Sequence, residues 1–268
     1  MEGPSLTRYV SHGVTLLGDL ARPCGVTFAF TERAGGVSRA PYASLNLGSR
    51  CGDDPAAVRR NRALALGALG AGGVADRLVE PRQVHGDHVV SVRSSDGAAL
   101  EAARAEALEG ADAVVCTAPG VPVLLCFADC VPVVLVAPGG FAVVHSGWRG
   151  TFARICGKAV RALCAEAGCA PSGVRAYIGP HIAGQDYEVS PELLSRFVEE
   201  FGTMVNVRGL LRNLSLSSAI TSTLESAGVK PCQILDARLS TASHADRFFS
   251  YRAESGCTGR HAAVAFLS

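Results

Sequence analysis

Nothing at the start of this 268-residue chain reads as an export signal, since MEGPSLTRYVSHG lacks a basic opening, an apolar run and a small-residue cleavage site. No apolar stretch suits a bilayer either. The longest, Val121 to Pro138, is broken by Ala128-Asp129-Cys130 and by prolines, which are costly at membrane depth. Surplus charge is also missing: 25 Lys and Arg face 24 Asp and Glu, and a net charge of +1 sets up no field to gather nucleic acid or anionic lipid. Repeats, low-complexity tracts and linkers are absent. What remains is a cytoplasmic protein with a single domain over residues 1–268, large enough for a substantial core and suited to a small-molecule partner.

Ten cysteines are present, but without regular spacing or any sign of export, so a disulfide framework is not expected. Cys24, Cys116, Cys126, Cys156, Cys164, Cys169 and Cys232 read as reduced, buried, small apolar side chains.

The pattern predicts a strand over Gly25–Thr31 and a helix opened by Asp54-Pro55 that ends at the glycines from Gly70. Strands follow at His88–Arg93, Ala113–Thr117, Val121–Phe127, Val131–Val136 and Phe141–His145. Helical spacing runs from Gly150 to Gly168, then a strand at Val174–Ile178, a helix from Ser190-Pro191-Glu192 to Phe201 and another over Leu214–Gly228. Strands return at Gln233–Leu235 and Ala262–Leu267. The class is α/β or α+β with mixed sheets flanked by helices.

The segment Phe127–Gly150 carries the chemistry. Cys130 opens one apolar strand and His145 closes the next; if Pro138-Gly139-Gly140 joins them as a hairpin, the two lie side by side. His85 stands upstream in Gln83-Val84-His85-Gly86, beside a glycine that permits close backbone approach. Two imidazoles and a thiolate form a catalytic zinc set with one open position. The same Cys130–His145 pair also fits a metal-free cysteine hydrolase or deamidase, with the thiolate as nucleophile. A structural zinc in a non-catalytic binding protein needs a fourth ligand, and none is evident. His12, His181, His244 and His261 read as surface or core-edge residues, and His88 points away from a site holding His85.

Arg33-Ala-Gly-Gly-Val-Ser, Ser44-Leu-Asn-Leu-Gly, Gly52-Asp-Asp, Asn61-Arg62, Gln83-Val-His85-Gly, Ala111-Asp112-Ala, Ala128-Asp129-Cys130-Val-Pro, His145-Ser-Gly-Trp-Arg-Gly-Thr151, Gly179-Pro180 and Phe249-Ser-Tyr-Arg252 occur in order. Together they resemble the laccase-domain (YfiH-like) family, also called the polyphenol oxidase or purine nucleoside phosphorylase family. The resemblance implies an α/β/β/α sandwich and zinc on His85, Cys130 and His145. It also implies phosphorolysis of adenosine, inosine, guanosine and S-methyl-5′-thioadenosine, with deamination of adenosine. Two positions depart from the family pattern: Ser240 where a cysteine is usual before Thr241, and Ser146 where an alanine is usual.

The older phenol-oxidising label fits the composition less well. Several coppers need many histidines, whereas seven are present without a His-x-His pair, and the methionines Met1 and Met204 stand outside the constellation. For deamination, an open position on zinc acidifies water toward a pKa of ~7, and Asp129 is the acid–base candidate, with a supporting or turn-capping role as its bland alternative. For phosphorolysis, Arg149 ahead of a helix and Arg33 before a Gly-Gly turn are the phosphate candidates, each equally readable as a structural ion pair.

Overall fold

A computed structural model describes residues 3–268; Met1 lies outside them. The chain opens with a hairpin of β1 (Thr7–Ser11) and β2 (Val14–Gly18), whose two-residue turn puts both His12 (φ 48°) and Gly13 (φ 80°) in the left-handed region. Such a turn matches the twist of the strands it joins. After β3 (Val26–Thr31) comes α1 (Pro55–Ala68), capped by the Asp54 carboxylate, which accepts from Ala56 N at 2.9 Å. There follow β4 (Val89–Val92), α2 (Gly97–Gly110), β5 (Ala113–Cys116), β6 (Val123–Phe127), β7 (Val131–Ala137) and β8 (Gly140–Ser146). The chain continues through α3 (Trp148–Phe152), α4 (Ile155–Ala167), β9 (Arg175–Ile178), α5 (Pro191–Phe201), α6 (Leu216–Ser226), β10 (Ile234–Asp236) and β11 (His261–Leu267).

Two sheets form. One has the order β1-β2-β3-β11-β6 and is antiparallel; the other, β10-β9-β7-β8-β5-β4, is mixed, with parallel pairs at both edges. Their facing sides share one core, in which Phe28, Phe30, Leu125 and Phe127 meet Val134, Val136, Phe141 and Tyr177. Behind the six-stranded sheet, Val133, Leu135 and Val144 pack on α4, α5 and α6; behind the five-stranded sheet, Leu16, Leu124 and Val264 pack on α1. The layers are thus α/β/β/α in a single domain. Strands β7 and β8 are buried at every position because both faces are covered, which makes their sequences continuous apolar runs. Each such buried Val, Leu or Phe contributes roughly 1.5–3 kcal/mol.

Three expectations change. Helix 150–168 is two helices, because Arg154 adopts φ 57° and interrupts the ladder between α3 and α4; Gly168, also left-handed, ends α4 as anticipated. Elements β1, β2 and α2 have no counterpart in the sequence reading. The cysteines are all free, but Cys24 and Cys232 are exposed and only Cys116 and Cys156 are fully buried, since the former sit in short surface turns ahead of β3 and β10.

Candidate metal centre

The hairpin register explains how one cluster forms at the ends of two strands. His145 lies directly opposite Pro132, and even positions of β7 share a face with odd positions of β8. Cys130, one residue before β7, therefore projects on the same face as His145, toward the layer between the sheets. The loop carrying His85 is brought over this end by Gln83, whose amide donates to Cys126 O (2.8 Å) and accepts from Cys126 N (2.9 Å) on β6. One donor atom from each of His85, Cys130 and His145 lies within 4.8 Å of the others, and among the described residues this is the one group of that kind. The three run from surface to core: His85 exposed, Cys130 half-buried and His145 only 4% exposed.

A buried carboxylate organises two of the three. Asp112 is wholly buried; its Oδ1 accepts from His145 Nδ1 at 2.7 Å and from His85 N at 3.0 Å, and its Oδ2 accepts from Gly86 N at 2.7 Å and Val84 N at 3.1 Å. A carboxylate can only accept, so Nδ1 carries the hydrogen and Nε2 is turned toward the cluster as a ligand atom. His85 takes φ 58°, a costly conformation for a residue with a side chain, and the three N–H bonds to Asp112 hold it there. Gly147 keeps the cluster uncrowded: a Cβ there would stand 3.1 Å from His85 Cδ2 and 3.2 Å from Cys130 Sγ, so either side chain would have to shift by a few tenths of an ångström.

The electrostatics suit a cation. Burial alone would raise the Cys130 thiol, but the charge of His145 and its hydrogen bond, with those of His85, bring it below the usual thiol range. Burial would lower His145, and the negative charges of Cys130 and Asp112 raise it instead. Asp112 is held below the ordinary carboxylate range, because the His145 bond and charge and the backbone N–H groups outweigh its burial. A thiolate beside two oriented imidazoles is the donor chemistry of zinc, with no fourth protein ligand in the cluster.

The cluster forms part of the wall of a cavity of about 640 Å³, to which Arg50, Arg252, Arg260, Tyr187 and Tyr251 also contribute. Asp129 lines it too, at φ 83°, with Oδ1 accepting from Thr241 Oγ1 and Oδ2 from Arg252 N, both at 2.6 Å. None of the three cavity arginines is paired with a carboxylate among the described residues; Arg252 donates to Glu188 O, and Arg260 to Thr258 O and Gly259 O.

Arg33 and Arg149 stand elsewhere. The Arg33 guanidinium is committed to the carbonyls of Ala43 and Ala245 and to Glu254, over the Phe249 ring. Arg149 is exposed, over the Trp148 ring at 5.0 Å, and does not line the cavity. His88 is exposed beside Glu106, as its position implied. His261, expected at the surface or core edge, is instead wholly buried, because β11 is paired on both sides by β3 and β6. The departures have local partners: Ser146 Oγ meets Thr151 Oγ1 at 2.8 Å, and Ser240 Oγ donates to the Asp186 carboxylate.

Comparison with known proteins adds to this geometry. Residues 27–268 match the family described as multi-copper polyphenol oxidoreductase laccase. A Deinococcus radiodurans protein named purine nucleoside phosphorylase is 39% identical over 242 residues, covering 89% of this chain and 88% of its own. The crystal structure of the Bacillus licheniformis hypothetical protein YfiH has a TM-score of 0.85 at 28% identity, covering 96% of this chain and 97% of that one. YlmD from Geobacillus stearothermophilus has a TM-score of 0.82 at 30% identity, covering 98% and 99% respectively.

Proposed function

Because this chain belongs to the family described as multi-copper polyphenol oxidoreductase laccase, whose curated relatives include the D. radiodurans purine nucleoside phosphorylase, we propose that it is a zinc-dependent purine nucleoside phosphorylase. Its substrates are adenosine, inosine, guanosine and S-methyl-5′-thioadenosine with phosphate, and it also deaminates adenosine. The observation that carries this reading is the convergence of His85, Cys130 and His145 on a cavity that also presents three guanidiniums without carboxylate partners.

His85 Nδ1 or Nε2, Cys130 Sγ and His145 Nε2 are the atoms that hold the zinc, and when bound it supplies Lewis acidity. Phosphorolysis needs phosphate held beside the ribose C1′, and the cavity cations Arg50, Arg252 and Arg260 are better placed for this than Arg33 or Arg149. Tyr187 and Tyr251 offer rings against which a purine can lie. Asp129 moves the proton; Thr241 and the Arg252 N–H fix one lone pair on each oxygen and leave the others for substrate. The protein's place is the cytoplasm, and no helix among the described residues is long and apolar enough to cross a membrane.

Purified protein should carry about one zinc per chain, and adenosine with phosphate should yield adenine and ribose 1-phosphate. Cys130→Ala or His145→Ala should remove both metal and turnover. Base release that needs no phosphate overturns the phosphorylase assignment. The lowered Cys130 thiol keeps one rival in play: chelator-resistant activity abolished by alkylating Cys130 would identify a cysteine hydrolase. Bound copper with phenol oxidation would restore the oxidase reading.

A further inference from the structure

A second cavity, of about 1050 Å³, lies on the far side of the segment that supports Asp129. Residues 179–183 run alongside 239–241: His181 N donates to Leu239 O at 3.1 Å, and Thr241 N donates to His181 O at 2.9 Å. Neighbouring side chains on this segment serve different walls, Ile182 lining the first cavity and His181 the second.

His181 is 2% exposed, yet its ring is only half satisfied. Nδ1 donates to Gly179 O at 2.8 Å, because a carbonyl can only accept. Nε2 has no hydrogen-bond partner among the described residues. It is not sealed in, however: the enclosed unpaired side-chain atoms belong to Thr27 and His261. Nε2 is therefore among the atoms that keep some exposure, and His181 is part of the second cavity's wall.

The rest of the wall favours an anion. Arg208 and Arg238 contribute two guanidiniums, neither paired with a carboxylate among the described residues. The first turn of α6 adds the hydroxyls of Ser217 and Ser218, the second adds Thr221, and the helix start, where Ser215 Oγ accepts from Ser218 N, is the positive end of an eleven-residue helix. Asp236 is the carboxylate on this wall, and its Oδ1 accepts from Arg238 N at 2.8 Å.

We infer that this second cavity binds a small phosphomonoester, with the phosphoryl group on Arg208, Arg238 and the start of α6 and the organic part against His181 Nε2. Two guanidiniums and a helix start match a dianion, and the volume leaves room for a sugar or nucleoside. The site is separate from the first cavity and stands whether or not that cavity turns over nucleosides.

Calorimetric titration of the full chain with adenosine 5′-monophosphate, ribose 5-phosphate and inorganic phosphate tests it. At least one phosphomonoester should bind saturably to the wild type and equally well to His85→Asn, which alters the first cavity alone. The double variant Arg208→Ala/Arg238→Ala, at two exposed positions, should bind it at least tenfold more weakly, and His181→Phe should weaken the monoester more than inorganic phosphate. Tighter binding of adenosine 5′-monophosphate than of ribose 5-phosphate would assign the organic part to a nucleoside; the reverse would assign it to a sugar. The proposal is overturned if no monoester binds, if the double variant binds like wild type, or if His85→Asn alone abolishes binding.

Discussion

His145 and His261 are both buried at the ends of central strands, and the Phe127 ring lies against each, at 5.4 Å from the first and 6.4 Å from the second. They differ in what meets their nitrogens. His145 has Asp112 at 2.7 Å behind it and Cys130 in front; neither nitrogen of His261 makes a well-formed hydrogen bond, the backbone of Pro180 being its one weak polar contact, and Arg260 is its charged neighbour. Burial works against the charged ring in both cases. For His145 two negative neighbours outweigh it, whereas for His261 burial is reinforced by the cation and pushes the ring down to about 3. Of these two buried histidines, the one backed by a carboxylate has its Nδ1 hydrogen fixed and its Nε2 lone pair aimed into the cluster, and the other is a neutral core side chain. Asp112, rather than burial, makes the difference.

The largest way to break that contrast is Asp112→Asn. An amide in this place can accept through only one atom, so either the His145–His85 pair of bonds or the Gly86–Val84 pair is lost. Zinc affinity should fall about 10–100-fold, as for other groups that orient a ligand from behind. Stability should fall by roughly 2–3 kcal/mol from buried donors left unpaired. Competition with a chelator of known affinity and urea denaturation measure the two. Unchanged zinc affinity would mean that the carboxylate does not set the ring.

The same pair shows what the sequence made legible. The hairpin could be read because both strands are apolar throughout and a Pro-Gly-Gly turn joins them, so a cysteine at one end and a histidine at the other had to approach. The start of helix α5 was legible from Ser190-Pro191-Glu192, and Ser190 Oγ does accept from Leu193 N. Asp112 stands in a sequence motif, but its role is not legible there, because its partners lie 27 and 33 residues away and only the fold aligns them. Arg33 looked like an anion binder beside Gly-Gly, but its acceptors include a carbonyl 212 residues along the chain. Helix α2 leaves little pattern in the sequence because its buried face, Leu100, Ala103 and Ala107, is mostly alanine and contrasts little with its other side. His261 gave no signal because its burial comes from strand pairing on both sides.

A smaller effect separates the two histidines by pH. The folded pKa of His261, about 3, lies below its ordinary 6.5, so the unfolded chain takes up this proton first. The stability contributed by the neutral ring is therefore complete above pH 6.5 and is lost as pH falls from there toward 3, by up to about 1.4 kcal/mol per pH unit. His261→Leu should flatten the acid limb of stability by about that slope relative to wild type, as read from urea midpoints between pH 6.5 and 4.5. Parallel curves for the two proteins would show that the ring finds a partner when protonated.

The smallest change concerns the ring that the two histidines share. Phe127→Leu keeps the side chain apolar but shortens the packing against both, at a cost of about 1 kcal/mol in stability. Neither the Asp112 carboxylate nor the Pro180 backbone and Arg260 beside His261 is altered, so zinc affinity and the acid slope should each stay near wild type. A drop in zinc affinity as large as that of Asp112→Asn would place the orientation of His145 in aromatic packing. A loss of the acid slope would show that Phe127, by excluding water from His261, is what keeps that ring neutral.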